Sequence, residues 1–449
     1  VTHTRGALFD PVFGASEVAE ELSDRAWVLA LLEVEAALTR AAATVGLADA
    51  AHAATVTAVA EQLAAPGAVD IADLGRRSAA GGNPVIPLVK TLRAAVAEHG
   101  VPAAAVHVGA TSQDILDSAL MLLSRRAGHR VLADLRAAAN AAAELARLHR
   151  TTPVVARTLG QQALPTTFGA LAASWCTGLD DAADQLARAL SALPVQYGGA
   201  AGTLAAVHPH GPALADALAD QLGLARQVVP WHTVRTPVAS LAAALGVAAG
   251  AVSKPATDVT LMASTEFGEV AEDAPGGSSA MPHKQNPVAA ITARAAARRV
   301  PGLVSTVLSA MDHEFARAAG GWHAEWETVT DLLRLGGGAA RRLAASLGGL
   351  RVHPDAMARN LDITGGLILA ERVTGALAAH TDAARDIVTA AAAAGIPLDQ
   401  APEITAHLTA AELRDLLDPS HYLGHAADLV DRALASRAAR PARTIGGHP

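Results

Sequence analysis

Ring-bearing side chains are scarce in this chain: Phe, Trp and Tyr together make up only 3% of its 449 residues. A core without rings has to be filled by small and branched aliphatics, and 51% of the residues are hydrophobic. Ala, Leu and Val in such proportion suit close-packed helices, because Ala is the best helix former and short side chains let helices approach one another. Cysteine is nearly missing. The single Cys176 excludes an internal disulfide framework and fits a reducing compartment. Positive charge is in deficit, with 35 Lys and Arg against 43 Asp and Glu and a net charge of −8. Phosphate binding wants basic patches, so no nucleic-acid partner is expected, and any anion site must be made positive locally.

Other absences narrow the chemistry. No stretch of about 18 apolar residues runs free of charge or helix breaker, so no membrane span is expected. The opening VTHTRGALFDPVFG lacks the apolar segment of a secretory leader, and a cytoplasmic location is expected. Eighteen histidines invite a metal, but no H-E-x-x-H or comparable spacing occurs. A phosphate-cradling P-loop and a G-x-S-x-G elbow are also missing. Neither a metal nor an organic cofactor is expected.

What is there is helical periodicity. Apolar residues recur at helical spacing almost throughout, and alternating strand patterns are scarce. The pattern predicts helices at about 23–45, 111–122, 131–148, 166–193, 237–266, 286–311 and 325–347. Breaks are expected at Gly and Pro clusters: Gly81-Gly82-Asn83-Pro84, Tyr197-Gly198-Gly199, Pro275-Gly276-Gly277 and Gly336-Gly337-Gly338. Helices of about 30 residues reach roughly 45 Å, which favours an elongated bundle. The fold class expected is all-α, in three helical parts: 1–106, a central long-helix part 107–349, and 350–449.

Chemistry concentrates in GGSSAMPHKQNP, Gly276 to Pro287. Glycine frees the backbone and lets N–H groups approach a ligand. Ser278 and Ser279 offer hydroxyls, Lys284 a positive charge, and Asn286 an amide donor suited to a carboxylate. Such a mixture reads as a mobile loop that holds an anion while a proton moves. A second run, His107-Val108-Gly109-Ala110-Thr111-Ser112-Gln113-Asp114, has a turn glycine, an N-cap at Thr111 or Ser112 and an acid in the first helical turn. A helix start of this kind presents N–H groups and hydroxyls to a carboxylate.

The glycine-serine run resembles the signature loop of the fumarase/aspartase superfamily, G-S-S-x-M-P-x-K-x-N. Gly277, Ser278, Ser279, Met281, Pro282, Lys284 and Asn286 meet every fixed position. The resemblance implies cleavage of a C–N or C–O bond beta to a carboxylate, or the reverse addition, with Ser278 as base. Thr111, Ser112 and Asp114 resemble the superfamily's T-S-x-D carboxylate-binding region, with His107 a candidate acid or orienting group. Arg157, Thr158, Gln161, Ala163, Pro165 and Thr167 resemble its R-T-x-x-Q-x-A-x-P-x-T region. Fumarases and adenylosuccinate lyases carry a histidine directly after the R-T pair; here it is Leu159.

Within the superfamily, several runs are similar to those of the 3-carboxy-cis,cis-muconate cycloisomerases. These also lack the histidine after R-T, but usually place one where this chain has Gln162, which cannot serve as a general acid. Pro230-Trp231-His232-Thr233-Val234-Arg235 resembles their P-W-H-T-x-R, making His232 a second candidate acid and Arg235 a bidentate carboxylate clamp. Gly321-Trp322-His323-Ala324-Glu325-Trp326 resembles their G-W-H-A-E-W, with helix packing as an equally good account. LFDPVFG, Gly82-Asn83-Pro84 and the glycine-rich run from Tyr197 extend the likeness over about 8–372, adding Asn83 to the substrate-binding candidates along with Arg157, Gln161, Gln162 (a hydrogen-bonding group) and Ser279.

The cycloisomerase reaction adds a substrate carboxylate across a conjugated double bond and delivers a proton to the carbon alpha to another carboxylate. Its doubly charged intermediate would be steadied by Lys284 and Asn286, helped by Thr111 and Ser112. The implied partner is a small tricarboxylate, and the implied assembly is a homotetramer in which several subunits complete each site. Two alternatives stay open. One is another superfamily lyase, such as an adenylosuccinate lyase or an enzyme expelling nitrite or an amine from a substituted succinate. The other is a helical scaffold without activity.

Overall fold

The computed structural model describes residues 8–277 and 280–440. Six helices of more than 20 residues dominate it: α1 Asp24–Thr44, α2 Ser112–Leu148, α3 Phe168–Ser191, α4 Thr236–Met262, α5 Val288–Ser309 and α6 Gly321–Gly348. Shorter helices fill most of the rest, and the fold is all-α. Among the described residues the strands form two small antiparallel pairs. One is the hairpin of β1 Pro153–Thr158 and β2 Gln161–Thr167; the other pairs β3 Val270–Glu272 with β4 Leu350–Val352.

The chain divides into two compact units. The first takes the residues up to Leu135, with Ala182–Ser253 and Thr292–Arg341; the second takes Arg136–Asp181, Lys254–Ile291 and everything from Arg342. Five of the long helices, α2 to α6, contribute residues to both. In the first unit α1 buries Leu31, Val34 and Leu38, the stripe its periodicity predicts, together with Leu32, and Ser23 caps it by accepting from Ala26 N at 3.2 Å. Burying each leucine is worth about 2 kcal/mol. In the second unit Val373, Leu377, Val388, Leu398, Ile404 and Leu413 form a separate apolar cluster.

Two expected breaks are not breaks. The helices predicted at 111–122 and 131–148 are one continuous helix of 37 residues. Gly128 lies inside it, where an added Cβ would overlap the Leu190 side chain. Gly336-Gly337-Gly338 likewise sits within α6. A Cβ on Gly337 would press on Val18 at 2.8 Å, and one on Gly338 would overlap the Phe13 backbone. These glycines serve close approach between chain segments, at a cost in helix propensity of about 1 kcal/mol each. The helix predicted from Thr166 instead begins at Phe168, because Thr166 and Thr167 complete β2.

Helix α4 differs from the expectation that no membrane-length apolar stretch exists: by length and composition alone it is apolar enough to cross a bilayer. Half of that stretch is buried inside the protein. The helix is Ala-rich and carries Lys254 and Asp258, which pair at 2.6 Å. It reads as a core helix.

Candidate active site

The first unit holds the cluster built on the start of α2. His107 and Gly109 precede it in left-handed conformations, φ +66° and +61°. Gly109 has no alternative, since a Cβ there would lie 2.5 Å from Val207 Cγ1 and 2.7 Å from Tyr197 Oη. That tyrosine hydroxyl donates to Val108 O at 2.8 Å and pins the turn. His107 is held by Glu35, with Nδ1 and Oε1 2.7 Å apart. Glu35 is buried, so His107 faces a partner supplied by the α1 core.

Thr111 is the residue before the helix, and its N–H donates to Asp114 Oδ2 at 3.0 Å. Asp114 is the hub of the cluster. Its Oδ1 also accepts from Gly198 N at 2.9 Å and lies 2.6 Å from His232 Nε2, and its Oδ2 accepts from Gly199 N at 2.9 Å. Four donors on one fully buried carboxylate satisfy its lone-pair positions. His232 is buried against the glycine turn, where a Cβ on Gly198 would come 2.7 Å from its Cε1. The acid in the first turn thus fixes both the helix start and the imidazole expected to act as an acid.

Arg235 requires a correction. It was expected to clamp a substrate carboxylate, but its guanidinium is fully buried and engaged by two carboxylates of the chain. Nη1 and Nη2 donate to Asp117 at 2.8 and 3.0 Å, Nε donates to Glu325 at 3.0 Å, and Nη2 donates to it at 2.5 Å. The ring of Trp231 lies 4.8 Å below the guanidinium, and Trp322 Nε1 donates to Asp117 at 3.0 Å. Burial alone would push the Asp117 carboxyl up, but Arg235 overrides it and holds it below the ordinary range. For Glu325 burial wins over the same arginine, and its carboxyl is raised. Both arrangements show an ion cluster spent on the interior.

Asn83 is likewise used by the fold. Its Oδ1 accepts from Val85 N and Ile86 N at 3.1 and 3.3 Å, starting the helix Val85–Ala97. Thr111 and Ser112 remain half-buried at the mouth of α2.

The second unit carries the other candidates. Leu159 and Gly160 make the two-residue turn of the β1–β2 hairpin, at φ +52° and +82°. Leu159 is fully exposed at its tip, and Gln161 beside it is also exposed. Arg157 is committed: both its Nη atoms donate to Glu269, at 3.0 and 2.7 Å, and its guanidinium lies 4.4 Å over Phe267. Glu269 also accepts from Asn360 Nδ2 at 2.8 Å, and Gln162 Nε2 donates to Asn360 O at 2.9 Å.

Ser278 and Ser279 lie outside the described residues. Around them, Gly276 and Asn286 exchange both backbone bonds at 2.9 Å, and Asn286 Nδ2 donates to Gly276 O at 3.0 Å. Asn286 therefore spends a donor on closing the base of its own loop. Lys284 is exposed on that loop. The start of α5 just beyond is not an open anion site, because buried Glu272 accepts from Ala289 N and Ala290 N at 3.1 and 2.9 Å.

Sequence reasoning passed over Asp117, Glu269, Glu272 and Glu325 as organising groups. Glu269 and Glu272 stand outside every motif, and only the fold reveals their partners. Asp114 was visible in T-S-x-D, but only as a first-turn acid. Among the described residues no group of three or more His, Cys, Asp or Glu is placed to hold a metal ion.

The family described as Lyase matches residues 11–302. The chain is 45% identical to a nitrosuccinate lyase of Streptomyces davaonensis, over 95% of this chain and 94% of that one. It is 42% identical to a 3-carboxy-cis,cis-muconate cycloisomerase of Pseudomonas aeruginosa, over 95% of this chain and 96% of that one. The crystal structure of the 3-carboxy-cis,cis-muconate lactonizing enzyme of Pseudomonas putida superposes with a TM-score of 0.89 at 40% identity, covering 96% of this chain and 99% of its own.

Proposed function

Since the chain belongs to the fumarase/aspartase superfamily of lyases, we propose that it closes 3-carboxy-cis,cis-muconate to 4-carboxymuconolactone. Leu159 at the hairpin tip carries this reading. Where fumarases have a proton-transferring histidine there is an alkyl side chain, and Gln162 offers no proton either. His107 and His232 are held by Glu35 and Asp114. General acid assistance is worth about 10²- to 10⁴-fold when a poor leaving group must be protonated. A carboxylate nucleophile, or leaving group in reverse, needs none.

In the closing direction a substrate carboxylate oxygen forms the C–O bond, and the electron pair of the double bond moves to the carbon alpha to a second carboxylate. The resulting enolate takes its proton from Ser278. In the opening direction Ser278 removes that proton and the C–O bond breaks. Lys284 supplies the positive charge beside the enolate, where one preorganised donor is worth about 3 kcal/mol. Asn286 shapes the loop that presents it. The Thr111–Ser112 helix start receives a second carboxylate, and a homotetramer completes each site.

A second reading is favoured by the 45% identical relative: elimination of nitrite from nitrosuccinate. Ser278 would take the proton alpha to a carboxylate, the C–N bond would break with its pair leaving as nitrite, and fumarate would remain. Nitrite also departs as a stable anion, so the same leucine fits. The test offers purified protein 3-carboxy-cis,cis-muconate and nitrosuccinate side by side, following loss of diene absorbance and release of nitrite. Turnover of the muconate supports the proposal, nitrite release alone replaces it with the second reading, and activity on neither refutes both. Ser278→Ala is expected to remove most turnover while leaving the fold intact.

A further inference from the structure

The carboxylate clamp expected of Arg235 is missing, and a different arginine stands ready in the same unit. Arg317, on the connection between α5 and α6, donates from Nη1 to Gln113 Oε1 at 3.0 Å and from Nη2 to Gly199 O at 2.7 Å and Ala200 O at 3.3 Å. Every one of these acceptors is neutral. Its Nε is buried without a partner among the described residues. Burial pulls its pKa down from the ordinary value, with Asp114 and Asp117 opposing only through the field.

This is an unusual environment for a half-buried guanidinium, since buried charges are normally paired. The comparison within the same unit is direct. Arg235 holds Asp117 and Glu325, Arg334 holds Asp10 and Asp331, and Arg126 holds Glu33. Arg25 and Arg125 lack a carboxylate but cap helix ends, at Ala64 O and Leu222 O, where the helix dipole supplies negative charge. Gly199 O and Ala200 O belong to a loop and offer no such end. Arg40 and Arg93 also meet only neutral acceptors, Gln221, Thr57 and Val106 O. Among the described residues nothing in contact with Arg317 neutralises its charge either, and what sets it apart is its place beside Gln113 and Gly199.

Its neighbours locate that charge. Gln113 is the second residue of α2, directly after Thr111 and Ser112, and its Nε2 donates to His232 O at 2.8 Å. Gly199 N is held by Asp114, which also holds His232. Arg317 thus closes a hydrogen-bonded ring around His232, at the helix start read as the carboxylate seat. We propose that Arg317 is the carboxylate-binding arginine of this site and favours substrates with an additional carboxylate, an ionic pair replacing its bonds to neutral acceptors. Rigid tethering of the 311–320 connection is the competing account.

The inference rests on the small-carboxylate reading of the site, and its test separates the two. Fumarate and propane-1,2,3-tricarboxylate are titrated calorimetrically into wild type, Arg317→Gln and Arg317→Lys, with melting curves for each, alongside KM and kcat on both candidate substrates. Glutamine keeps an N–H donor for the loop carbonyls but removes the charge. Arg317→Gln is expected to lose about tenfold to a hundredfold in tricarboxylate affinity, the worth of a charge-assisted bond, with lysine intermediate and the effect on turnover seen mainly in KM. Unchanged affinity and KM beside a lowered melting point would show a tether only and overturn the inference while leaving the proposed function intact. Anion binding that depends on Arg317, without turnover of either substrate, keeps the inference and refutes the proposed function. A wild type that binds neither anion overturns the inference, and turnover of the two substrates then decides the proposed function on its own.

Discussion

Replacing Asp114 with asparagine changes one atom and tests the hub of the candidate site. The aspartate accepts from Gly198 N and His232 Nε2 on one oxygen and from Thr111 N and Gly199 N on the other. Asparagine keeps one oxygen and turns an NH₂ toward the second pair of donors. Each buried donor left without an acceptor costs about 1–3 kcal/mol, so two orphans cost about 2–6 kcal/mol. His232 can relieve one of them by presenting Nε2 as an acceptor in its other tautomer, which leaves a floor of about 1 kcal/mol from one glycine N–H. Asp114→Ala removes the acceptor for all four donors and is expected to be worse. The readouts are urea midpoints for global stability and amide hydrogen exchange at Gly198 and Gly199 for the local bond. Both amides are expected to be protected in the wild type, and the one that faces the new NH₂ to exchange faster in the asparagine variant. Stability within about 0.5 kcal/mol of wild type, a size typical of surface changes, with protection of both glycines retained, would refute the account.

Three further outcomes follow from the same geometry. Arg235→Met leaves Asp117 and Glu325 buried without their cation and is expected to cost about 3–5 kcal/mol, read from chemical denaturation; a loss under about 1 kcal/mol would refute a structural ion cluster. Arg235 holds the Asp117 carboxyl below its ordinary value against the pull of burial. Its contribution to stability is therefore full above about pH 4, the unfolded value, and is lost as pH falls below that, so the wild type's acid unfolding limb should flatten in Arg235→Met. Leu159→Asn should stabilise the hairpin by about 0.5–1 kcal/mol in a thermal melt, because asparagine tolerates the left-handed first position of a two-residue turn and leucine does not; a drop would show that another chain covers this leucine. Burial, reinforced by Asp180, pushes the Cys176 thiol up to about 11. Iodoacetamide at pH 8 should leave the native protein untouched and label it fully in urea; labelling of the native state would contradict this packing.

Much of the site's chemistry could be read from residue order alone. The serine-lysine loop, the T-S-x-D turn and the missing histidine at Leu159 are contiguous strings, and local spacing states their chemistry without a fold. Partnership was not legible. Arg235 read as a clamp for a substrate carboxylate because its sequence neighbours say nothing about Asp117 and Glu325, which lie 118 and 90 positions away. Arg157 was matched to its motif, but its tie to Glu269 spans 112 positions. Arg317 drew no notice at all, since an arginine beside Ala and Gly matches no motif, and its unneutralised charge exists only against folded neighbours.

The sequence by itself determined the helical class, the family and the chemical inventory, because helical period and loop motifs are local properties of the chain. Tertiary structure decided the rest. It turned Gly337-Gly338 from an expected break into a point of close approach, and it joined the helices expected at 111–122 and 131–148 through Gly128, because only the packed neighbour shows why a side chain is missing there. It also divided the charged residues into those paired with an opposite charge inside the fold, such as Arg235, and those that meet only neutral acceptors, such as Arg317. That division depends on distance through space, which separation along a chain does not encode.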